Sequence, residues 1–213
     1  MSHFDFSVEK IISQAWIKFK ENSLFWIGIT LFSIAIGLPG NIMPSVALLF
    51  TLLSCYFSAA ITLMSIKYIR GQSISYNDLL AIKSMRFLHY LAALLICSVL
   101  IIIGCVFLIL PGIYIMLRLM LVQYLIVDKD ISFDQAIKKS WHLTKGMEWN
   151  LLAFVFAMFV IMVLGFLALC LGLIIAIPVT QLSTAYLYLI ILENADKLNV
   201  SNNLDTDTIN FDR

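Results

Sequence analysis

Apolar residues dominate this chain in long runs, interrupted at regular intervals by short stretches that gather almost all of its charge. Six runs stand out: Leu24 to Leu38, Val46 to Ile66, Phe87 to Leu110, Ile113 to Val127, Leu151 to Ile175 and Val179 to Leu192. A helix needs roughly 20 mostly apolar residues to cross a hydrocarbon core of about 30 Å, so these runs predict about six transmembrane helices. They fall into pairs separated by a proline, Pro39 in GLPG, Pro111 in ILPGI and Pro178 in AIPVT. Proline cannot donate to the backbone ladder and its predecessor avoids the helical region, so each pair reads as a hairpin with the proline at its tip.

Charge placement gives the hairpins an orientation. None of the proline tips carries a charged neighbour, whereas Lys10, Lys18, Lys20, Lys67, Arg70, Lys83, Arg86, Lys129, Lys138, Lys139, Lys145 and Lys197 all fall at the opposite ends. Lysine and arginine collect on the cytoplasmic side of membrane proteins, which predicts both termini in the cytoplasm.

Ahead of each hairpin the pattern changes to an amphipathic helical period. From Ser7 to Glu21, Val8, Ile11, Ile12, Ala15, Trp16 and Phe19 share one face, with Ser7 as N-cap and Phe6 and Ile11 at staple spacing. The segment from Ser132 to Lys145 repeats it at an offset of 125 residues: Ser7, Ile12, Trp16 and Lys20 meet the identical Ser132, Ile137, Trp141 and Lys145. Ser132 and Gln135 fit a capping box. A middle copy begins at Ser75, with Asp78 at the capping-box position and Leu79 at the staple position, but it lacks the tryptophan and Lys83 breaks its apolar face.

The expected fold is therefore an all-α integral membrane domain over residues 1–196, three quasi-repeats at approximately 5–70, 74–128 and 131–194, each an interfacial helix followed by a hairpin. A polar, disordered tail, 197–213, follows. Trp16, Trp26, Trp141 and Trp149 stand near headgroup depth, and Trp16, Trp141, Trp149, Lys20 and Lys145 are the expected interfacial anchors.

Composition excludes several function classes. With 62% hydrophobic residues, 13% charged residues and a net charge of +1, the chain is neither a soluble core nor a basic nucleic-acid binder. The first 23 residues lack a continuous apolar core, so no cleavable signal peptide is expected. Cys55, Cys97, Cys105 and Cys170 lie in apolar runs without metal or redox spacing and read as small hydrophobes. His89 and His142 have no ligand-type residue at ligand spacing, and Asp134 and Glu148 read as solvated charge. No metal, cofactor or catalytic residue is expected.

One residue breaks the pattern. Arg118 lies seven residues after Pro111 and ten before Asp128, about 10 Å from the tip and about 15 Å from the charged end. An arginine at that depth costs at least about 2.5 kcal/mol, so it must find acceptors, a wet cavity or a lipid phosphate. Tyr114, one turn earlier, and Ser183, Thr184 and Tyr186, at a similar distance past Pro178, are the candidate partners. Three roles stay open: a structural arginine, a contact for an anionic lipid or substrate, and a snorkelling surface residue.

The stretch from Leu110 to Leu152, with LPGIY, Arg118, the IVD turn at Ile126 to Asp128 and the run from Ser140 to Gly146, resembles the YciC-type bacterial inner-membrane proteins. It also resembles the related membrane domain that precedes some glycerophosphodiester phosphodiesterases, and SVEKIISQAWIKFKEN near the N-terminus fits the same group. The resemblance implies a multi-pass protein of the bacterial cytoplasmic membrane. The phosphodiesterase barrel has no counterpart outside the spans, so no catalytic role carries over. The expected function is non-enzymatic: binding or organising lipids with anionic headgroups, or a membrane partner, at the cytoplasmic leaflet. The alternative is a small transporter or channel for an anionic or lipid-like substrate with Arg118 as its contact.

Overall fold

The computed structural model describes the backbone of residues 7–42, 44–107, 109–168 and 171–211, and the side chains of 7–37, 39, 45–106, 109–168 and 172–197. Phe6, Met43, Leu108 and Cys170 lie outside the described residues. The described chain is helical, without a strand: α1 (Val8–Glu21), α2 (Ser23–Ile42), α3 (Ala47–Ile69), α4 (Ser84–Phe107), α5 (Ile109–Leu119), α6 (Val122–Lys129), α7 (Phe133–Leu143), α8 (Glu148–Leu167) and α9 (Leu171–Phe211). Single 3-10 turns at Pro44–Val46 and Tyr76–Leu80 complete it. Five stretches are long and apolar enough to cross a membrane: Ala47–Ile69, Ser84–Val106, Ile109–Lys129, Glu148–Leu167 and Gly172–Lys197; the apolar stretch Ser23–Gly37 is shorter.

The helices pair as α2 with α3, α4 with α5 and α8 with α9. The centre belongs to the second member of each pair. Half of the apolar stretch in α5–α6 and in α9 is buried, against 22% in α4 and 17% in α8. The outer helices turn Leu95, Val106, Phe156 and Phe166 outward, a surface that only an apolar solvent would tolerate.

Two of the expected proline tips are displaced. Pro39 lies inside α2 and Pro178 inside α9, seven residues past its start, so neither stands at a reversal. A proline frees only one carbonyl of a helix, a defect that neighbouring helices can cover, and it does not by itself reverse a chain. Pro111 does stand in the first turn of its helix, α5. What permits close reversal at two tips is glycine. A Cβ on Gly112 would come within 2.8 Å of the Cys105 backbone nitrogen, and one on Gly172 within 2.6 Å of the Gly165 carbonyl oxygen. Only a residue without a side chain lets these backbones meet.

The polar pre-hairpin segments also differ from expectation in part. In α1 the Lys10 N–H donates to Ser7 Oγ, the expected cap. Ser75 and Asp78 form their capping box, and Leu79 is buried beside Ile74. The box starts a single 3-10 turn rather than a helix of three or four turns, because Leu79 and Ile82 drop into the core and α4 begins at Ser84. The α7 capping box is absent: Ser132 Oγ donates to Asp134 and leaves the backbone uncapped. The α9 backbone stays helical to Phe211, where composition predicts disorder; the stretch from Lys197 holds no glycine or proline to end the ladder. Each of these segments packs on a second helix, α1 on α9, the Tyr76–Leu80 turn on α3 and α7 on α6.

Candidate functional site

The charges gather at one end of the bundle, and they are not equivalent. Arg70 caps α3 and reaches across to Asp128 of α6 with both terminal nitrogens, while Tyr188 of α9 donates its hydroxyl to the same carboxylate at 2.8 Å. One aspartate thereby ties together the three central helices. Arg86 of α4 donates to Asp130 at 2.8 Å and to the Val127 carbonyl at 3.2 Å, closing the corner after α6. Lys67 pairs with Asp78 at 2.8 Å, fastening the Tyr76–Leu80 turn to α3. That contact, with the Ser75 backbone N–H, holds the Asp78 carboxyl below the usual carboxylate range, and Arg86 does the same for Asp130.

Arg118 completes this set. It is 3% exposed and forms an ion pair with Glu148, in the first turn of α8. It also donates to Tyr114 Oη at 2.6 Å and to the Trp141 carbonyl at 3.5 Å. Its guanidinium lies 4.8 Å from the Tyr114 ring centroid and 5.6 Å from that of Trp141. Ser140 Oγ donates to the Arg118 carbonyl at 2.7 Å. Arg118 Nε stays buried without a partner. The site is built by three elements: the end of α5 supplies the cation, the end of α7 the aromatic wall and carbonyl, and the start of α8 the carboxylate.

Of the expected partners, only Tyr114 meets Arg118. Ser183 and Thr184 bond to the Val179 and Thr180 carbonyls of their own helix, and Tyr186 packs against the apolar core. The chain turns at Asp130 after α6, and α7 packs back against α6 and α5, so the first turn of α8 carries Glu148 to the guanidinium.

The remaining anchors divide. Trp16 and Trp141 are each 42% exposed and Trp149 is more so. Lys20 lies over the Trp16 ring at 6.0 Å, and Lys145 is exposed. Trp26 is instead 1% exposed, buried with Ala15, Phe19, Val179 and Leu182, because α1 folds over the start of α2 and onto α9. Compared with protein-family models, curated proteins and solved structures, the chain matches none.

All three described arginines are committed to carboxylates of the chain, whereas Lys10, Lys20, Lys83, Lys129, Lys138, Lys139 and Lys145 form no ion pair among the described residues. The chemistry follows from the two side chains. The planar guanidinium binds a carboxylate bidentately and tolerates burial, while the ammonium is a strongly hydrated point charge that stays at the surface. Arg70, Arg86, Arg118 and Lys67 build the polar end, and the seven unpaired lysines are exposed. Cys55, Cys97 and Cys105 are free thiols, and among the described residues no three His, Cys, Asp or Glu side chains cluster as metal ligands.

Proposed function

We propose that the chain is a non-enzymatic, multi-pass protein of the bacterial cytoplasmic membrane, with both termini in the cytoplasm, that binds anionic lipid headgroups at the cytoplasmic leaflet. The observation that carries this reading is that every described arginine is paired with a carboxylate of the chain, while seven exposed lysines form no ion pair among the described residues. On α7 and just past it, Lys138, Lys139 and Lys145 are exposed beside the half-exposed Trp141 and the exposed Trp149. Lysines near a headgroup plane contribute on the order of 1 kcal/mol each toward an anionic surface, and tryptophans fix the depth.

The three-unit repeat supports the same reading. Shifted by 125 residues, the buried positions Ile11, Ala15 and Phe19 of α1 fall on Ala136, Ser140 and Thr144, all buried, and the two tryptophans are equally exposed. The contacts close a ring in which each pre-hairpin segment rests on the last helix of the preceding unit, α1 resting on that of the third. Such a ring would present three cationic edges to one leaflet. The likeness to YciC-type proteins is part of this proposal. A transporter reading built on Arg118 loses its footing, because Glu148, Tyr114 and Trp141 already occupy the guanidinium.

Native mass spectrometry of the chain released from nanodiscs tests this. With equal phosphatidylglycerol and phosphatidylcholine, wild type should retain phosphatidylglycerol preferentially, and Lys138→Gln/Lys139→Gln/Lys145→Gln should erase the preference. Equal retention of both lipids by wild type would overturn the reading.

A further inference from the structure

A second place in the molecule has the character of a site, and it lies away from the charges. Between α2, α3 and α9 lies a half-open cavity of about 290 Å³, near the lower end of ligand pockets. Its wall extends along α2 from Trp26 to Ile36, about 15 Å at 1.5 Å per residue, or half a hydrocarbon core. The space is thus long and narrow, and among the described residues no charged side chain lines it.

Five polar side chains from three helices meet there: Thr30 and Ser33 from α2, Ser54 and Ser58 from α3, and Gln181 from α9. Pro178 also lines it and takes away the N–H that would bond the Ile174 carbonyl. Polar groups inside a membrane bundle are expensive, and where several converge on a space they mark a path or a binding site.

The hydrogen-bond accounting says what kind of ligand. Thr30 donates to the Trp26 carbonyl at 2.8 Å and Ser33 to the Ile29 carbonyl at 2.9 Å, so both hydroxyl hydrogens are consumed. Gln181 spends one amide N–H on Thr62 Oγ1 at 3.2 Å, and Ser58 shares its hydroxyl with Tyr90 at 3.1 Å. What remains on the wall is of both kinds: the Thr30 and Ser33 hydroxyl oxygens and Gln181 Oε1 can accept, while the Trp26 Nε1–H, buried without a partner, and the second Gln181 amide N–H can donate. An ion would find no countercharge, an unsubstituted hydrocarbon would leave these donors and acceptors unmet, and a hydroxyl, which donates and accepts at once, suits both.

We propose that this cavity binds one apolar chain of a neutral lipid carrying a free hydroxyl, the hydroxyl donating to Gln181 Oε1. The site is separate from the lysine face and does not rest on headgroup binding there. Its polar wall holds the hydroxyl while Ile29, Phe57 and Ile177 contact the chain.

Photolabelling of the full chain in liposomes with a diazirine-bearing long-chain alcohol tests this. Label should concentrate on peptides of α2, α3 and α9 that line the cavity, and be displaced by the unlabelled alcohol but not by an alkane of equal length. Gln181→Leu should weaken that displacement about fivefold, the equivalent of one hydrogen bond. Ser54→Phe, which fills the space, should abolish the focused label; if that variant does not fold, Gln181→Leu decides alone. Lys138→Gln should leave labelling unchanged, separating this site from the headgroup reading. Label spread evenly over the outer faces of α4 and α8, or a fatty acid or alkane displacing it as well as the alcohol does, would overturn the proposal.

Discussion

The Arg118–Glu148 pair makes the sharpest test of how the polar end is built. Replacing Glu148 by alanine removes the one carboxylate bonded to a guanidinium that is 3% exposed, and also the acceptor of the Gly146 N–H at 3.1 Å. Breaking a fully buried pair costs about 3–5 kcal/mol, because the remaining charge is stranded. Here the Glu148 side chain is 33% exposed, so water reaches part of the site. Tyr114, the Trp141 carbonyl and two aromatic faces also stay with Arg118. Those compensations place the expected loss lower, at about 2–3 kcal/mol. Glu148→Gln keeps a neutral acceptor and should cost about half as much. Arg118→Met removes the charge itself, so adding Glu148→Gln to it should cost little further. Reversible unfolding in mixed micelles of the two single variants and the double variant gives the coupling directly. A coupling below about 0.5 kcal/mol would refute the claim that this pair, rather than packing alone, joins α5 to α8.

Other substitutions probe separate parts of the same structure. Gly112→Ala drives a methyl into Cys105 across the hairpin tip and should destabilise by about 1–3 kcal/mol, whereas Gly37→Ala, with open space around it, should be neutral or gain up to about 1 kcal/mol; equal effects in thermal denaturation would contradict the close approach. Tyr188→Phe removes a hydrogen bond to the Asp128 carboxylate and should cost about 1.5–3 kcal/mol, measured by the same unfolding assay. The carboxyls of Asp78 and Asp130 are held below their ordinary range in the folded chain, so their stabilisation is complete above the unfolded value of about 3.9 and is lost as pH falls through the lowered folded value. Asp78→Asn should therefore flatten the decline of melting temperature below about pH 4, and a variant curve parallel to wild type would show that the Lys67 contact carries no net stability.

Local rules predicted the helices well and the reversals poorly. Apolar period and charge placement located every helix long enough to cross a membrane, because those signals reside in the segment that folds. The Ser7 cap and the Ser75–Asp78 box were legible for the same reason, since each partner lies within three residues. Proline misled at Pro39 and Pro178 because it marks a missing donor, not a reversal. The close glycine approaches, Gly104 with Gly112 and Gly165 with Gly172, have no local signature because each crosses a turn between two helices.

The side-chain pairings were illegible for a stronger reason. Arg70 and Asp128 are separated by 58 residues, and Gln181 and Thr62 by 119; no period or composition links them. Arg118 was conspicuous alone, but its depth along a supposed straight span placed it where no carboxylate existed. Because the chain turns at Asp130 and α7 packs back against α6 and α5, Glu148, 30 residues further on, becomes its neighbour. The same reasoning reverses the weight given to the polar residues. The lone charge that looked most functional is held by the fold. The scattered neutral groups Thr30, Ser33, Ser54, Ser58 and Gln181, each unremarkable on its own helix, acquire meaning only because three helices aim them at one space. In a chain this apolar, convergence of such groups from separate helices is a better guide to a site than the cost of burying any one of them.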